Sequence, residues 1–267
     1  MISSHIKASR IWSPAVDIFK YLLLVAAVTW LMVNSTRQLG YHWQWYRVPQ
    51  YIYTITDGHF VSGPLIAGLM VTLRITGVSL VMAFIFGLVT ALLRLSNSLV
   101  GKVISRGYLE VIRNTPLLVQ LFFIYFVLSP VFNIDAFTSA VLALSLFEGA
   151  YASEIFRAGI VSIHQGQWEA AFSIGLNTRQ TYRLVILPQA IRRIIPPLTS
   201  QAVSLIKDSA LVSTIAIYDL TMRGQAIIAE TFLVFEIWFT VAAMYLIITL
   251  ILSLTVFYME KRLKVEY

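Results

Sequence analysis

Residues 169–188 read EAAFSIGLNTRQTYRLVILP, from Glu169 to Pro188. This is a polar island between two very apolar stretches. The spacing predicts a short helical run from Trp168 to Leu176 that stops at Asn177. A second run begins near Thr178 and is expected to break at Pro188, whose ring removes an amide donor. In a chain otherwise built for lipid, a helical element of this polarity reads as one held outside the membrane, where it can serve as a docking surface.

The chain has 267 residues, 58% of them apolar and 12% charged, with a mean hydropathy of +0.77. A soluble domain carries about a quarter charged residues. Several runs here exceed the roughly 18 apolar residues that mark a membrane span. The composition predicts an all-α polytopic membrane protein. A net charge of +7 would raise nucleic-acid binding for a soluble protein. Here the basic residues cluster in alternate loops, so the positive-inside rule accounts for the excess and no nucleic acid is implied. The absence of cysteine excludes disulfides and thiolate metal sites.

Six spans are expected, at about Ile18–Val33, Pro64–Leu93, Pro116–Val131, Ala136–Phe156, Ile194–Ile217 and Leu233–Tyr258. Lys20 in the first can snorkel to the headgroups. Lys207 and Asp208 interrupt the fifth. The 94–115 loop carries Arg94, Lys102, Arg106 and Arg113. The 157–193 loop carries Arg157, Arg179, Arg183, Arg192 and Arg193, and the tail carries Lys261, Arg262 and Lys264. With Lys7 and Arg10, these segments are expected to face the cytoplasm, which puts both termini inside. A cleaved signal peptide is the rival reading of the first span, but Asn34-Ser35-Thr36 lacks the small-x-small cleavage pattern. Beyond it, Tyr41, Trp43, Trp45, Tyr46, Tyr51 and Tyr53 read as an interfacial aromatic belt rather than a ligand cage.

On a helix, Trp168, Phe172 and Leu176 form one bulky stripe, beside a small face of Ala171 and Gly175. Glu169 is expected in the first turn, where a carboxylate favours the free N–H groups, and Thr178 is expected to cap the next helix. Two readings fit these residues: an amphipathic hairpin lying on the inner membrane face, and a surface that docks a partner.

The EAA triplet, Gly175 after three intervening residues and Leu187-Pro188 together resemble the EAA loop of ABC importer membrane subunits. Val185 stands where that pattern has isoleucine. Leu109–Gln120, LEVIRNTPLLVQ, is similar to the family's RGTPLLVQ segment, with Asn114 in the glycine position. Glu148–Ile160, EGAYASEIFRAGI, followed by Gly166-Gln167 and Leu187-Pro188-Gln189-Ala190, resembles the polar amino acid uptake subgroup. So does Lys207-Asp208-Ser209-Ala210-Leu211, with Ala210 departing from the usual serine. The resemblance spans about 64–262.

It implies a type I importer transmembrane domain over 64–262, with the EAA loop at about 160–190 and a short tail, 263–267. Residues 1–63 then add one helix and an aromatic extracytoplasmic segment to a five-helix core. It also implies that the loop helix, about Gly166–Asn177, fits a groove on a cytoplasmic ABC ATPase. Gly166, Gln167, Glu169, Ala170, Ala171 and Gly175 would be the coupling residues. The implied partners are an ATPase dimer, a second permease (the same or a similar chain), an extracytoplasmic solute-binding protein and membrane lipid. The implied location is the bacterial inner membrane.

The chain has no GxxxxGK(S/T) phosphate loop. His5, His42, His59 and His164 are isolated, with no pattern for a metal or hydrolytic site. No cofactor is therefore expected on this chain; ATP and Mg²⁺ belong to the partner ATPase, and this chain is expected to be a transport subunit rather than an enzyme. Ionisable residues at depth cost at least about 2.5–3.5 kcal/mol and need polar neighbours. Arg74, Glu148, Glu236, Lys207 and Asp208 are candidates for a solute pathway, with Arg74 meeting a carboxylate and Glu148 or Glu236 an ammonium. Alternatively they bridge helices. Glu154 and Arg157, three apart, read as a local ion pair. Gly149, Ala150, Ala152 and Ser153 are small, as close packing in lipid requires. Pro196-Pro197 reads as a hinge or a plain helix entry. The alternative to transport is a membrane scaffold whose hairpin recruits a cytoplasmic partner.

Overall fold

A computed structural model describes residues 14–38, 40–56 and 59–263. Lys7, Arg10, Lys264 and the rest of the C-terminal tail lie outside the described residues. The described residues up to Gln44 form one compact unit, and those from Trp45 a second. The first unit holds α1 (Pro14–Gln38), within which Val16–Ser35 is long and apolar enough to cross a membrane. The rings of Tyr41 and Trp43 meet edge to face at 5.4 Å.

The division falls after Gln44, so part of the aromatic segment belongs to the main body. There α2 (Pro49–Ile52) leads into an antiparallel hairpin, β1 (Tyr53–Thr56) and β2 (His59–Ser62), with Tyr53 opposite Ser62. Tyr51 and Ile52 pack onto a cluster containing Leu65 and Leu220. The main body continues with α3 (Pro64–Leu95), α4 (Leu99–Arg113), α5 (Leu117–Phe122), α6 (Ser129–Phe132), α7 (Ala136–Val161) and α8 (Gln165–Ser173). They are followed by α9 (Thr178–Thr181), α10 (Leu187–Asp208), α11 (Leu220–Thr231) and α12 (Val234–Leu263).

Helix starts follow local chemistry. Ser98 accepts from Gly101 N to cap α4, Asp135 accepts from Thr138 N to cap α7, and Asp219 accepts from Met222 N to cap α11. The cap on α7 holds the Asp135 carboxyl below the ordinary aspartate range.

The α3–α7 contact is the spine of the fold. Gly149, Ala150, Ala152 and Ser153 are all buried, as their size predicted. A Cβ on Gly87 would stand 2.7 Å from the Ala152 Cβ, and one on Gly149 2.9 Å from the Phe86 Cβ. The two helices approach too closely there for a side chain at either glycine. Around this spine lie a middle cluster (Ile75, Leu121, Leu144, Leu205, Val212) and a second at the C-terminal ends of α3 and α7 (Ala91, Phe156, Ile160, Ile186, Ile194).

Among the described residues, four helices are each long and apolar enough to cross a membrane: Val16–Ser35, Pro64–Leu95, Ala136–Val161 and Val234–Met259. Leu99–Arg113 and Leu117–Phe132 pass the same test as a pair bent by 105°. The expected third span, Pro116–Val131, is thus the second arm of this pair, with a π-helical stretch at Phe123–Leu128. The expected fifth span is α10 continued by a 3₁₀ turn, Ser209–Ile215. It is too polar to read as a span by composition alone.

Two proline expectations change. The helix does not break at Pro188: it runs from Thr178 through a π-helical turn, Tyr182–Ile186, into α10. The widened turn just before Pro188 accommodates its ring and missing donor. Pro196 and Pro197 likewise lie inside α10 rather than at its entry.

Candidate functional site

The 164–190 hairpin is held by short-range bonds at both helix ends. His164 Nδ1 accepts from Gly166 N at 3.0 Å and starts α8. At the other end Gly175 N donates to Phe172 O at 3.0 Å and Leu176 N to Ala171 O at 3.2 Å. This is a Schellman ending, which needs a left-handed residue just past the helix, and Gly175 supplies it with φ +82°. Asn177, not Thr178, caps α9. Its side chain accepts from Gln180 N while Gln180 Oε1 accepts from Asn177 N, each at 2.9 Å, a reciprocal capping box.

Longer-range contacts then close the hairpin on itself and join the segments of chain at its base. Trp168 meets Tyr182 edge to face at 4.9 Å, Gln189 Nε2 donates to Gln167 Oε1 at 3.1 Å, and Arg193 donates to the Ser162 carbonyl at 2.6 Å. The apolar stripe expected on α8 is therefore split. Trp168 and Leu176 are half-buried, and Phe172 stands exposed beside Ile174, which is 76% exposed.

Of the expected coupling residues, Gln167, Glu169, Ala170 and Gly175 are exposed and Gly166 is half-buried. Ala171 is buried against its own chain, so it does not form a small face shared with Gly175. Glu169 is the fifth residue of α8, beyond the first turn where a carboxylate would meet free N–H groups. Gly175 has nothing within 4 Å of a modest side chain. Its requirement in the isolated chain is its backbone angle.

The second candidate region is the contact of α7 with α10. Glu148 is 1% exposed. Its Oε2 accepts from Gln201 Nε2, its carboxylate interacts with that of Asp208, and its Oε1 has no hydrogen-bond partner. A cavity of about 230 Å³ lies beside it, lined by Leu80, Phe84, Ala152, Leu198 and Gln201. Lys207 and Asp208 close α10, where it tightens into the 3₁₀ turn. Lys207 is exposed; Asp208 is half-buried.

Arg74 is exposed on α3. Glu236 is buried near the start of α12, whereas Glu148 lies about 18 Å along α7 from its first residue. The fold thus joins Glu148 with Asp208. Gln201 was missed by sequence reasoning because it lies 53 residues from Glu148, beyond any local pattern.

Glu154 also has more partners than the local pair. Its carboxylate binds Arg94 of α3 and Arg113 of α4 as well as Arg157, the last two at 3.4 and 3.2 Å. It ties three helices at one level. Among the described residues, no group of three or more His, Cys, Asp or Glu side chains is placed to hold a metal ion.

A family model described as the binding-protein-dependent transport system inner membrane component matches residues 83–265. The glutamine transport system permease protein GlnP of Escherichia coli strain K12 is 43% identical over 204 residues, which cover 75% of this chain and 93% of that protein. The L-cystine transport system permease protein TcyB of Bacillus subtilis is 44% identical over 202 residues, 74% of this chain and 86% of that protein. A crystal structure of an amino acid ABC transporter with histidines is similar, with a TM-score of 0.71 at 40% identity, covering 74% of this chain and 94% of that one.

Proposed function

The chain belongs to the inner membrane components of binding-protein-dependent transport systems, the permease subunits of ABC importers, and from that premise we propose that its solute is a polar amino acid. The observation that carries this reading is the pair of relatives, one for glutamine and one for cystine, each more than 40% identical and matched over most of its own length. The scaffold alternative has no such support.

In this reading the α8–α9 hairpin enters a groove on a cytoplasmic ATPase. Exposed Phe172 and Ile174 supply the apolar contact, Glu169 the charge, and Gly175 the turn that holds the rest in place. ATP and Mg²⁺ are bound by that ATPase dimer. Two permeases, the same or similar chains, form the pathway and receive solute from an extracytoplasmic binding protein. Both termini and the basic loops face the cytoplasm. Glu148, Asp208, Lys207 and Arg74 line the path, with Glu236 nearer its outer end. A carboxylate with one oxygen unpaired suits an ammonium group, and an exposed arginine on an apolar span suits a carboxylate.

The complex of this chain with its ATPase, reconstituted in vesicles, tests the reading. Hydrolysis of ATP should rise when a binding protein loaded with a polar amino acid is added, and that amino acid should accumulate inside. A complex that assembles but never responds to loaded binding protein would return the scaffold reading.

A further inference from the structure

The α4 helix has three different faces. Gly101, Ser105 and Leu109 are buried against the body, and Tyr108 on the same side donates to the Leu146 carbonyl of α7. Leu99, Val103 and Ile104 lie on another side and are 77%, 62% and 60% exposed, with Val100 and Val111 beside them. Lys102, Arg106 and Arg113 fall on a third strip, between the buried face and the edge of the apolar one. Glu154 holds Arg113. No described residue partners the side chains of Lys102 or Arg106, both exposed.

The helix is tied to α3 and α7 along its length. At its start Gly101 approaches Leu93 and Ser96 at the C-terminal end of α3, and at its end Arg113 reaches the carboxylate that also binds Arg94 of α3. The chain then turns by 105° into the next arm. Gln120 fixes that elbow, donating to the Ile112 carbonyl at 2.7 Å and to the Thr115 hydroxyl at 2.8 Å. A cavity of about 400 Å³ opens at the elbow, lined by Val111, Val119, Phe123, Ile124 and Leu128.

We propose that α4 is an interfacial helix of the inner leaflet that binds anionic phospholipid. Its apolar face and the elbow cavity receive acyl chain, and Lys102 and Arg106 hold the headgroup phosphate. A helix with separate apolar, basic and protein-facing sides is built for the boundary between acyl chains and headgroups. The free cations favour an anionic lipid over a zwitterionic one. The inner-leaflet placement rests on the orientation proposed above; the lipid contact does not depend on which solute is carried.

Two measurements test it. In native mass spectrometry of the purified full chain, phosphatidylglycerol should be retained over phosphatidylcholine. The K102Q/R106Q double variant should lose that preference by roughly fivefold per cation removed, and K102R/R106K should keep it. Because the chain has no cysteine, Val103→Cys gives a single spin-label site. In phosphatidylcholine–phosphatidylglycerol vesicles holding the ATPase complex, this label should be accessible to oxygen and shielded from a water-soluble nickel chelate.

Equal retention of both lipids by native chain and double variant would overturn the headgroup assignment. A label open to the chelate would overturn the lipid face, as would one shielded only when the ATPase or a second permease is bound. A Lys102→Cys variant modified from outside sealed cells by an impermeant maleimide would overturn the inner-leaflet placement. These readouts need no transport, so they stand or fall apart from the amino acid assignment.

Discussion

The α8–α9 hairpin and the α7–α10 contact carry the two halves of the proposed function, and they are built in opposite ways. The hairpin takes its shape from bonds a few residues long: His164 to Gly166, the Schellman ending at Gly175, and the Asn177–Gln180 box. Its functional surface remains exposed. Glu148, Gln201 and Asp208 meet only because α7 and α10 pack together, and there the functional atom is buried. A locally determined surface can wait for a partner without collapsing. A polar centre within a span must find its partners in its own fold or in a bound solute, because lipid offers nothing.

The largest expected effect breaks the hairpin. Gly175→Val should abolish ATPase co-purification and coupled uptake while leaving membrane insertion intact, because a β-branched residue resists the left-handed angle. Gly175→Asn, which tolerates that angle, should retain much of the activity. If Val and Asn variants fail equally, the partner's need for space at that position outweighs the backbone requirement. Normal uptake by Gly175→Val would remove the hairpin from the coupling role.

A smaller effect is expected at the buried pair. Glu148→Ala strands the Gln201 amide and should lower thermal stability in detergent by about 1–3 kcal/mol. Glu148→Gln keeps an acceptor for that amide and should cost less, yet reduce uptake if the charge meets the solute. Matching losses of uptake in the two variants at full expression would support a solute role, and losses that track stability would assign Glu148 to helix bridging.

The effect with least consequence for transport lies at Asp219, a buried cap outside the spans. Burial pushes its carboxyl from the ordinary value near 3.8 up to about 6, against the opposing pull of hydrogen bonds from Met222, Thr221 and Tyr245. Between these values the folded state holds more protons than the unfolded one. Stability therefore falls as pH rises through the window from about 4 to about 6. Thermal denaturation at several pH values should show this slope, and Asp219→Asn, which keeps the cap on Met222, should flatten it.

Much of the hairpin was legible in the sequence because its determinants are short-range. The EAA triplet, the glycine after it and the polar break between apolar runs all lie within one loop. The capping box was legible too: Asn177 and Gln180 have the spacing of a cap and its reciprocal partner, although the expectation fell on Thr178. The helix passing through Pro188 was not, because a π-turn has no composition of its own and proline usually ends a helix. The fifth span showed only weakly, since α10 owes its place to packing against α7 and α12 more than to its own apolarity. The three partners of Glu154 split in the same way: Arg157 follows from a three-residue spacing, while Arg94 and Arg113 come from other helices.

By itself the sequence determined the membrane class, the long apolar helices, the basic loops and the polar hairpin between apolar runs. Each depends on composition or on residues close along the chain, where helix periodicity fixes what meets what. The tertiary structure decided which buried charges share a site, where the chain bends after α4, and where α10 passes despite its prolines. Those outcomes depend on which helices touch. In a membrane that choice is made by close packing of small residues such as Gly87, Gly149 and Ala152 and by the need of every polar group for a partner.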